Sequence, residues 1–419
     1  MFLNKLVNKF NKISPVIIIT PWVGAVGNMA EHIYLGLLKA RRDKKKVLFL
    51  FPYDFIISFS KFNLGVNSEL KKIESPYRFL NYYNPISILL NLSLTIIYIF
   101  LILLNKIFKK KINYDIRIPS LGNSELYNAE LKNNFSYNKK LIKQWRKDYN
   151  SYIEVKLNQS QELEGKKFLL QMGLPKNSWF ACLYVREGGY YSSKVKETKS
   201  KILRNCNIDN YISAIEEITK RGGYVIRMGD ISMKKLPKMK NLIDYPFTPF
   251  KSNLMDVYLI SKCKFFLSNV AGIWDVANLF QKPLAMTNIM PYLYILPPRK
   301  GDLLIYKHMF CKKSNRKLPL SDRLKINHLV KGQFSEEYFY SENTSKEIKN
   351  LVIEFLEKNK VIFPIQRRFK RECIRNGLNK IQQKFEDDKN RNMSEQYKIF
   401  THLVGRSGNV SYEFLKENF

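Results

Sequence analysis

A chain of 419 residues with 45% hydrophobic content is long enough for two or three domains with real cores and too apolar to be disordered as a whole. Its formal net charge of +35, with a pI near 9.8, points to an anionic membrane leaflet, to nucleic acid, or to no more than a solvated basic surface. It carries no arginine-rich arm, zinc-ligand spacing or aromatic RNA-binding signature, which puts nucleic acid behind the membrane surface.

Residues 1–12 are basic and amphipathic, the pattern of a short surface helix or a membrane-touching tail. The apolar run from Pro15 to Thr20 is too short for a signal peptide and lacks a small-residue cleavage site. Val16 to Thr20 reads instead as a buried strand, Met29 to Ala40 as a helix and Lys46 to Phe51 as a second strand. Gly24, Gly27 and Asn28 lie in the turn of this β-loop-α-β unit, where glycines let backbone approach a ligand or a neighbouring element.

The segment between Arg78 and Lys106 carries no charge, and its centre, Ile86 to Leu104, spans about 28 Å as a helix. Ser87, Asn91, Thr95 and Tyr98 fall on one helical stripe, so one face is wet or packed on protein. A single span would also put the two halves of the chain on opposite sides of a membrane. An interfacial or partly inserted helix therefore ranks first, a buried core helix second and a true span third.

Helical patterns follow at Leu126 to Lys147 and at Leu163 to Met172, the latter stopped by Gly173-Leu174-Pro175. Strands 179–185, 224–228, one near Leu242, 264–268 and 283–287 then alternate with helices 209–221, 253–262 and 272–281. Such alternation predicts an α/β fold with a doubly wound parallel sheet. Segment 302–311 is mixed. Thr344 and Glu347 form a capping box before helix 346–358, and the tail from Gln366 is basic and helical. The expected domains are residues 1–170, 171–362 and a carboxyl-terminal segment 363–419 packing across both.

Ligands of such sheets bind at the carboxyl ends of the strands. There stand Arg186 and Glu187, Arg227 with Gly229 and Asp230, and Ser268 and Asn269 with Gly272 opening the next helix. An arginine ending a buried strand needs an anion, either a diphosphate that suits its fork or a nearby carboxylate such as Glu187 or Asp230. Glu187 could act as a base or be structural. Ser268, Asn269 and Gly272 could present N–H groups to phosphate or simply cap a helix. Glu31 and His32 follow the amino-terminal glycine loop, where either could take a proton from an acceptor hydroxyl or be structural. Lys307 and His308 lie in a segment without clear periodicity. The five cysteines form no C-x-x-C pair and read as reduced cytosolic thiols, and neither a metal-ligand cluster nor a D-x-D motif occurs, so no metal or other cofactor is expected.

The stretches VREGGYY, RGGYVIRMGD, MDVYLISKCKFFLSNVAGIWDVANLFQKPLAMTN, GDLLIYKH and ENTSKEI together resemble a family of bacterial glycosyltransferases found with surface-polysaccharide genes. The resemblance covers about 180–358 and extends more weakly to the G-x-x-G-x-x-x-E-H run at Gly24 to His32. It is similar, more distantly, to the donor half of GT-B transferases, which have two facing Rossmann-like lobes, and to fucosyltransferase-like members whose arginine contacts the donor diphosphate.

The resemblance implies a metal-independent glycosyltransferase with a nucleotide-diphosphate sugar as co-substrate. The donor site would hold Arg186, Arg227, Gly229, Asp230, Ser268, Asn269 and Gly272. Glu187 and His32 would be the catalytic candidates, and Gly24, Gly27, Asn28 and Glu31 would lie on the acceptor side. The acceptor implied is a lipid-linked glycan of a surface polysaccharide such as lipopolysaccharide O-antigen, met at the inner face of the cytoplasmic membrane. Family members often carry small hydroxyl residues where this chain has Val270-Ala271, and if those hydroxyls bind phosphate, two hydrogen bonds to it are missing here. Other functions compatible with the same residues are an epimerase, a pyruvyl or phosphosugar transferase, and a non-catalytic membrane- or polyanion-binding protein.

Overall fold

The computed structural model describes residues 13–21, 23, 25–53, 67–108, 146–148, 150–188, 202–290, 296–326, 329–330, 333–357, 361–387 and 406–419. The amphipathic stretch 1–12, the helical pattern over 126–145, and Gly24 lie outside the described residues.

The amino-terminal unit is β1 (Val16–Ile19), α1 (Val26–Arg42) and β2 (Lys46–Phe49). The strands pair in parallel, as a helical crossover demands, and Arg78 adds a parallel bridge beside Val47. Helix α1 starts three residues before the sequence pattern suggests, at Val26 rather than Met29, so Gly27 and Asn28 sit in its first turn.

Helix α2 (Pro85–Phe108) follows. Its polar stripe turns inward: Ser87, Asn91 and Thr95 are buried with Leu94. Asn91 Oδ1 accepts from Phe51 N at 2.9 Å, and Thr95 Oγ1 accepts from Tyr53 N at 3.0 Å. These backbone groups lie just past β2, so the helix side chains do for them what a neighbouring strand would do. Among the described residues no helix is long and apolar enough to cross a membrane.

Helix α3 (Gln159–Gln171) opens with a capping box from Asn158 and Gln161. The main sheet then begins. Its elements are β3 (Phe180–Tyr184), α4 (Ile212–Lys220), β4 (Tyr224–Arg227), β5 (Leu242–Asp244), α5 (Asn253–Lys262) and β6 (Phe265–Ser268). It continues with α6 (Trp274–Leu279), β7 (Leu284–Ile289) and β8 (Leu303–Tyr306). The α/β class and the parallel sheet are as the alternation predicts. Strands β6, β7 and β8 are buried at every position, the mark of a sheet covered on both faces.

Helix α6 is shorter than its expected range of 272–281. It starts at Trp274 and is closed by Gln281, whose φ of 53° turns the chain while Lys282 N donates to Ala277 O. Helix 209–221 likewise begins as a 3-10 turn over Ile208–Tyr211. Segment 302–311 splits at Lys307. Strand β8 joins the main sheet, while β9 (His308–Cys311) leaves it to pair antiparallel with β10 (Arg316–Lys317) and, further on, with β13 (Tyr338–Ser341). Between these lie α7 (Leu320–Lys325) and a hairpin, β11 (Leu329–Val330) and β12 (Gln333–Phe334).

Helices α8 (Ser345–Glu357) and α9 (Pro364–Asp387) precede β14 (Asn409–Val410) and α10 (Tyr412–Asn418). The Thr344–Glu347 capping box forms, with Thr344 N on Glu347 Oε2 at 2.9 Å and Glu347 N on Thr344 Oγ1 at 3.2 Å. Strand β14 is too short to show in sequence, yet it pairs in parallel with β8 and closes that edge. Gln366 of α9 fixes it by donating to Val410 O at 2.7 Å.

The seven strands of the main sheet run in the order β14-β8-β7-β6-β3-β4-β5. From β3 the chain first moves one way to β4 and then, from β6, the other way to β7. Right-handed crossovers in opposite directions place α4 and α6 on opposite faces. Helix α8 packs with α4, and α1 packs on α6. The amino-terminal unit is therefore joined to the main sheet through a common core.

Candidate functional site

The strand order decides where a ligand would bind. The order reverses between β3 and β6, and the loops leaving their carboxyl ends diverge. That switch point is the ligand position of doubly wound sheets. Arg186 and Glu187 stand on one side of it, and Asn269 to Gly272 on the other.

Asn269 is fully buried and ties the two loops together. Its Oδ1 accepts from Arg186 N at 2.9 Å, and its Nδ2 donates to Arg204 O at 3.1 Å. Ser268 is also buried, its hydroxyl donating to Asn269 O at 2.8 Å. Both side chains thus bond backbone. Helix α6, which follows them, has only six residues and no side-chain cap.

Two buried cations meet beside this loop. Arg186 Nε donates to Asn205 Oδ1 at 3.0 Å, and Lys307 Nζ donates to Asn205 O at 3.1 Å. Cys206 N, next in the chain, donates to Arg186 O at 2.9 Å. Burial pushes the Cys206 thiol up to about 11 although Lys307 beside it pulls the other way, so it is no thiolate at neutral pH.

Arg227 is in a different situation. The register sets it beside Asp244 on β5, and its side chain is 0% exposed. Nη1 lies 3.0 Å from Asp244 Oδ1, and Nη2 lies 3.1 Å from Glu187 Oε1 and donates to Lys234 O at 3.1 Å. Glu187 Oε2 accepts from Lys234 N at 2.7 Å, and Asp244 Oδ2 from Leu236 N at 2.9 Å. Arg227 therefore anchors the loop after β4 to the ends of β3 and β5. Of its two carboxylate partners, Glu187 was named from sequence and Asp244 was not. Asp230 instead closes a local turn by accepting from Ser232 N at 2.9 Å. Gly229 has φ 145°, a backbone conformation that favours glycine, and the Met233 thioether packs where a Cβ would stand.

Glycines singled out in two distant segments touch. A Cβ on Gly27 would lie 2.3 Å from Gly272 O, so α1 and the loop after β6 are in backbone contact. Farther along α1, Asn28 is half-buried and Glu31 and His32 are buried. Val270 and Ala271 are buried as well. Gly27 at the start of α1 and the Ser268–Gly272 loop thus form one neighbourhood.

No protein-family model matches the chain, and no curated protein matches it significantly. Among solved structures it is similar to the glycosyl transferase family 9 protein from Veillonella parvula, with 8% identity over 65% of this chain and 79% of that one. The TM-score is 0.35, too loose to add to what the strand order already says.

The remaining candidates lie farther along the chain. His308 Nε2 lies 2.9 Å from Glu347 Oε2 in a buried pair. Burial alone would raise the Glu347 carboxyl, but His308 and the Thr344 hydrogen bonds outweigh it and hold it below its ordinary value. Among the described residues no group of three His, Cys, Asp or Glu side chains could hold a metal. Asn205 and Asp244 are the site residues that sequence reasoning missed. Asn205 had no motif to mark it, and Asp244 gains meaning only once β5 lies beside β4.

Proposed function

We propose that the chain is a glycosyltransferase of the two-lobed type that takes a nucleotide-diphosphate sugar at the switch point between β3 and β6. The observation that carries this reading is the pair of buried cations, Arg186 and Lys307, both bonded to Asn205. Both positive groups are buried and converge at the carboxyl ends of the strands, where an arriving diphosphate would meet the fork of one and the point charge of the other. The same charges would stabilise the diphosphate as it departs, the task a metal performs elsewhere. Arg227 and Glu187 shape the loop beside this position, and Glu187 in this reading positions that loop instead of taking a proton. Half-buried Asn28, beside the contact of Gly27 with Gly272, would lie toward the acceptor, a lipid-linked glycan of the cell surface.

Calorimetric titration with UDP-, GDP- and CMP-sugars tests the reading. One donor should bind, and Arg186→Lys, which keeps the charge and loses the fork, should weaken it roughly tenfold or more with the melting temperature unchanged. Absence of binding by every donor, or affinity indifferent to both Arg186→Lys and Lys307→Met, would refute it. Conversion of the donor sugar with no acceptor present would assign an epimerase instead.

A further inference from the structure

Helix α2 is built inside out. Its polar residues Ser87, Asn91 and Thr95 face the protein, while Ile86, Leu89, Leu92, Ile96, Phe100 and Leu103 face outward. Leu89 is 63% exposed and Phe100 59%. Ile88, Leu90 and Ile97 are exposed as well, and at about 100° per residue the outward apolar positions together sweep roughly 200° of arc, about twice the stripe of a helix that packs on one core. The helix is about 36 Å long at 1.5 Å per residue. Ser93, on the outward side, donates its hydroxyl to Leu89 O at 3.0 Å and so brings no unmet polar group to that surface. Exposed Phe79 and Tyr83 stand just before the helix, and Lys106 and Lys109 to Lys111 end the apolar run.

We infer that α2 lies in the plane of an anionic phospholipid leaflet, buried by its outward face in the acyl region and held to the protein by its inward face. Charge decides between lipid and a second copy of this chain. Two copies at +35 each repel, whereas an anionic leaflet attracts the chain and its lysine-rich flank. Geometry agrees. A partner helix covers one stripe of so broad an arc, while acyl chains cover all of it. The bonds from Phe51 N to Asn91 and from Tyr53 N to Thr95 rule out a spanning pose, because crossing the bilayer would strip these buried backbone groups of their acceptors. The inference does not depend on the glycosyltransferase reading.

Full-length protein should float with vesicles of phosphatidylglycerol and phosphatidylcholine, and should stay bound when salt is raised after binding. A triple variant, Leu89→Glu, Ile96→Glu and Phe100→Glu, should lose partitioning by roughly tenfold or more, since each charge must enter the acyl region. Its melting temperature should not fall, because all three side chains already face outward. Leu92→Trp reports depth independently: brominated lipid should quench its fluorescence. Three results would overturn the inference. One is equal vesicle binding by wild type and the triple variant. Another is complete release by salt. The third is a dimer in solution that the triple variant dissociates, with no quenching of Trp fluorescence in Leu92→Trp.

Discussion

Replacing Arg227 by Met separates an anchoring role from ligand binding. The guanidinium is fully buried and bonds two carboxylates at 3.0 and 3.1 Å. Removing one partner of a buried ion pair typically costs about 3–5 kcal/mol, because charge is left behind without compensation. Two features place this site at the lower end of the range. The side chains of Glu187 and Asp244 are each 15% exposed, so both can recover some water, and each keeps a backbone donor, from Lys234 and Leu236. Among the described residues Arg227 Nε also has no hydrogen-bond partner, so the wild-type arrangement is not fully satisfied. Methionine refills most of the volume. A loss of about 3 kcal/mol follows, or roughly 6–12 °C in melting temperature for a unit of ordinary domain size. Differential scanning calorimetry measures this directly, and Arg227→Lys should fall between wild type and Arg227→Met. An Arg227→Met protein with an unchanged melting temperature and no donor binding would refute the reasoning and put the guanidinium on the ligand.

Gly27→Ala should destabilise by about 1–3 kcal/mol, because backbone must move to admit the methyl group, whereas Gly272→Ala, whose Cβ would find its nearest atom at 3.4 Å, should cost less than about 1 kcal/mol; equal melting temperatures would contradict the contact. Asn269→Ala orphans the Arg186 amide and should lose about 1–3 kcal/mol in urea unfolding, and no loss would show that the loops hold without it. Asp302 accepts from Leu284 N and Arg299 N, and burial pushes it up to about 6 even with Arg299 nearby. Its folded state holds the proton more tightly than the unfolded chain does, so its contribution to stability falls as pH rises from about 4 to about 6 and stays low above that. Relative to Asp302→Asn, wild type should lose about 3 kcal/mol across this window in paired urea titrations, and a constant difference would refute the assignment.

Local pattern was enough for much of this molecule. Alternating apolar runs and glycine stops marked β3 to β7 and the helices between them, because strand and helix periods are written into consecutive residues. The Thr344–Glu347 box was legible for the same reason, since capping acts over three residues. The polar stripe of α2 was legible as well, but not which way it faced. The strand order that puts the switch point between β3 and β6, the Asp244 partner of Arg227, and the meeting of Gly27 with Gly272 all join residues far apart in the chain. So does the closing of the sheet by the two-residue strand β14. Short pairings of that kind carry no period of their own, and the neighbours that satisfy their backbone groups are chosen only when the core assembles. The sequence by itself determined an α/β chain with arginines at its strand ends. Packing decided that Arg227 is held by carboxylates while Arg186 and Lys307 converge on Asn205, because what a buried charge meets depends on which strand comes to lie beside it.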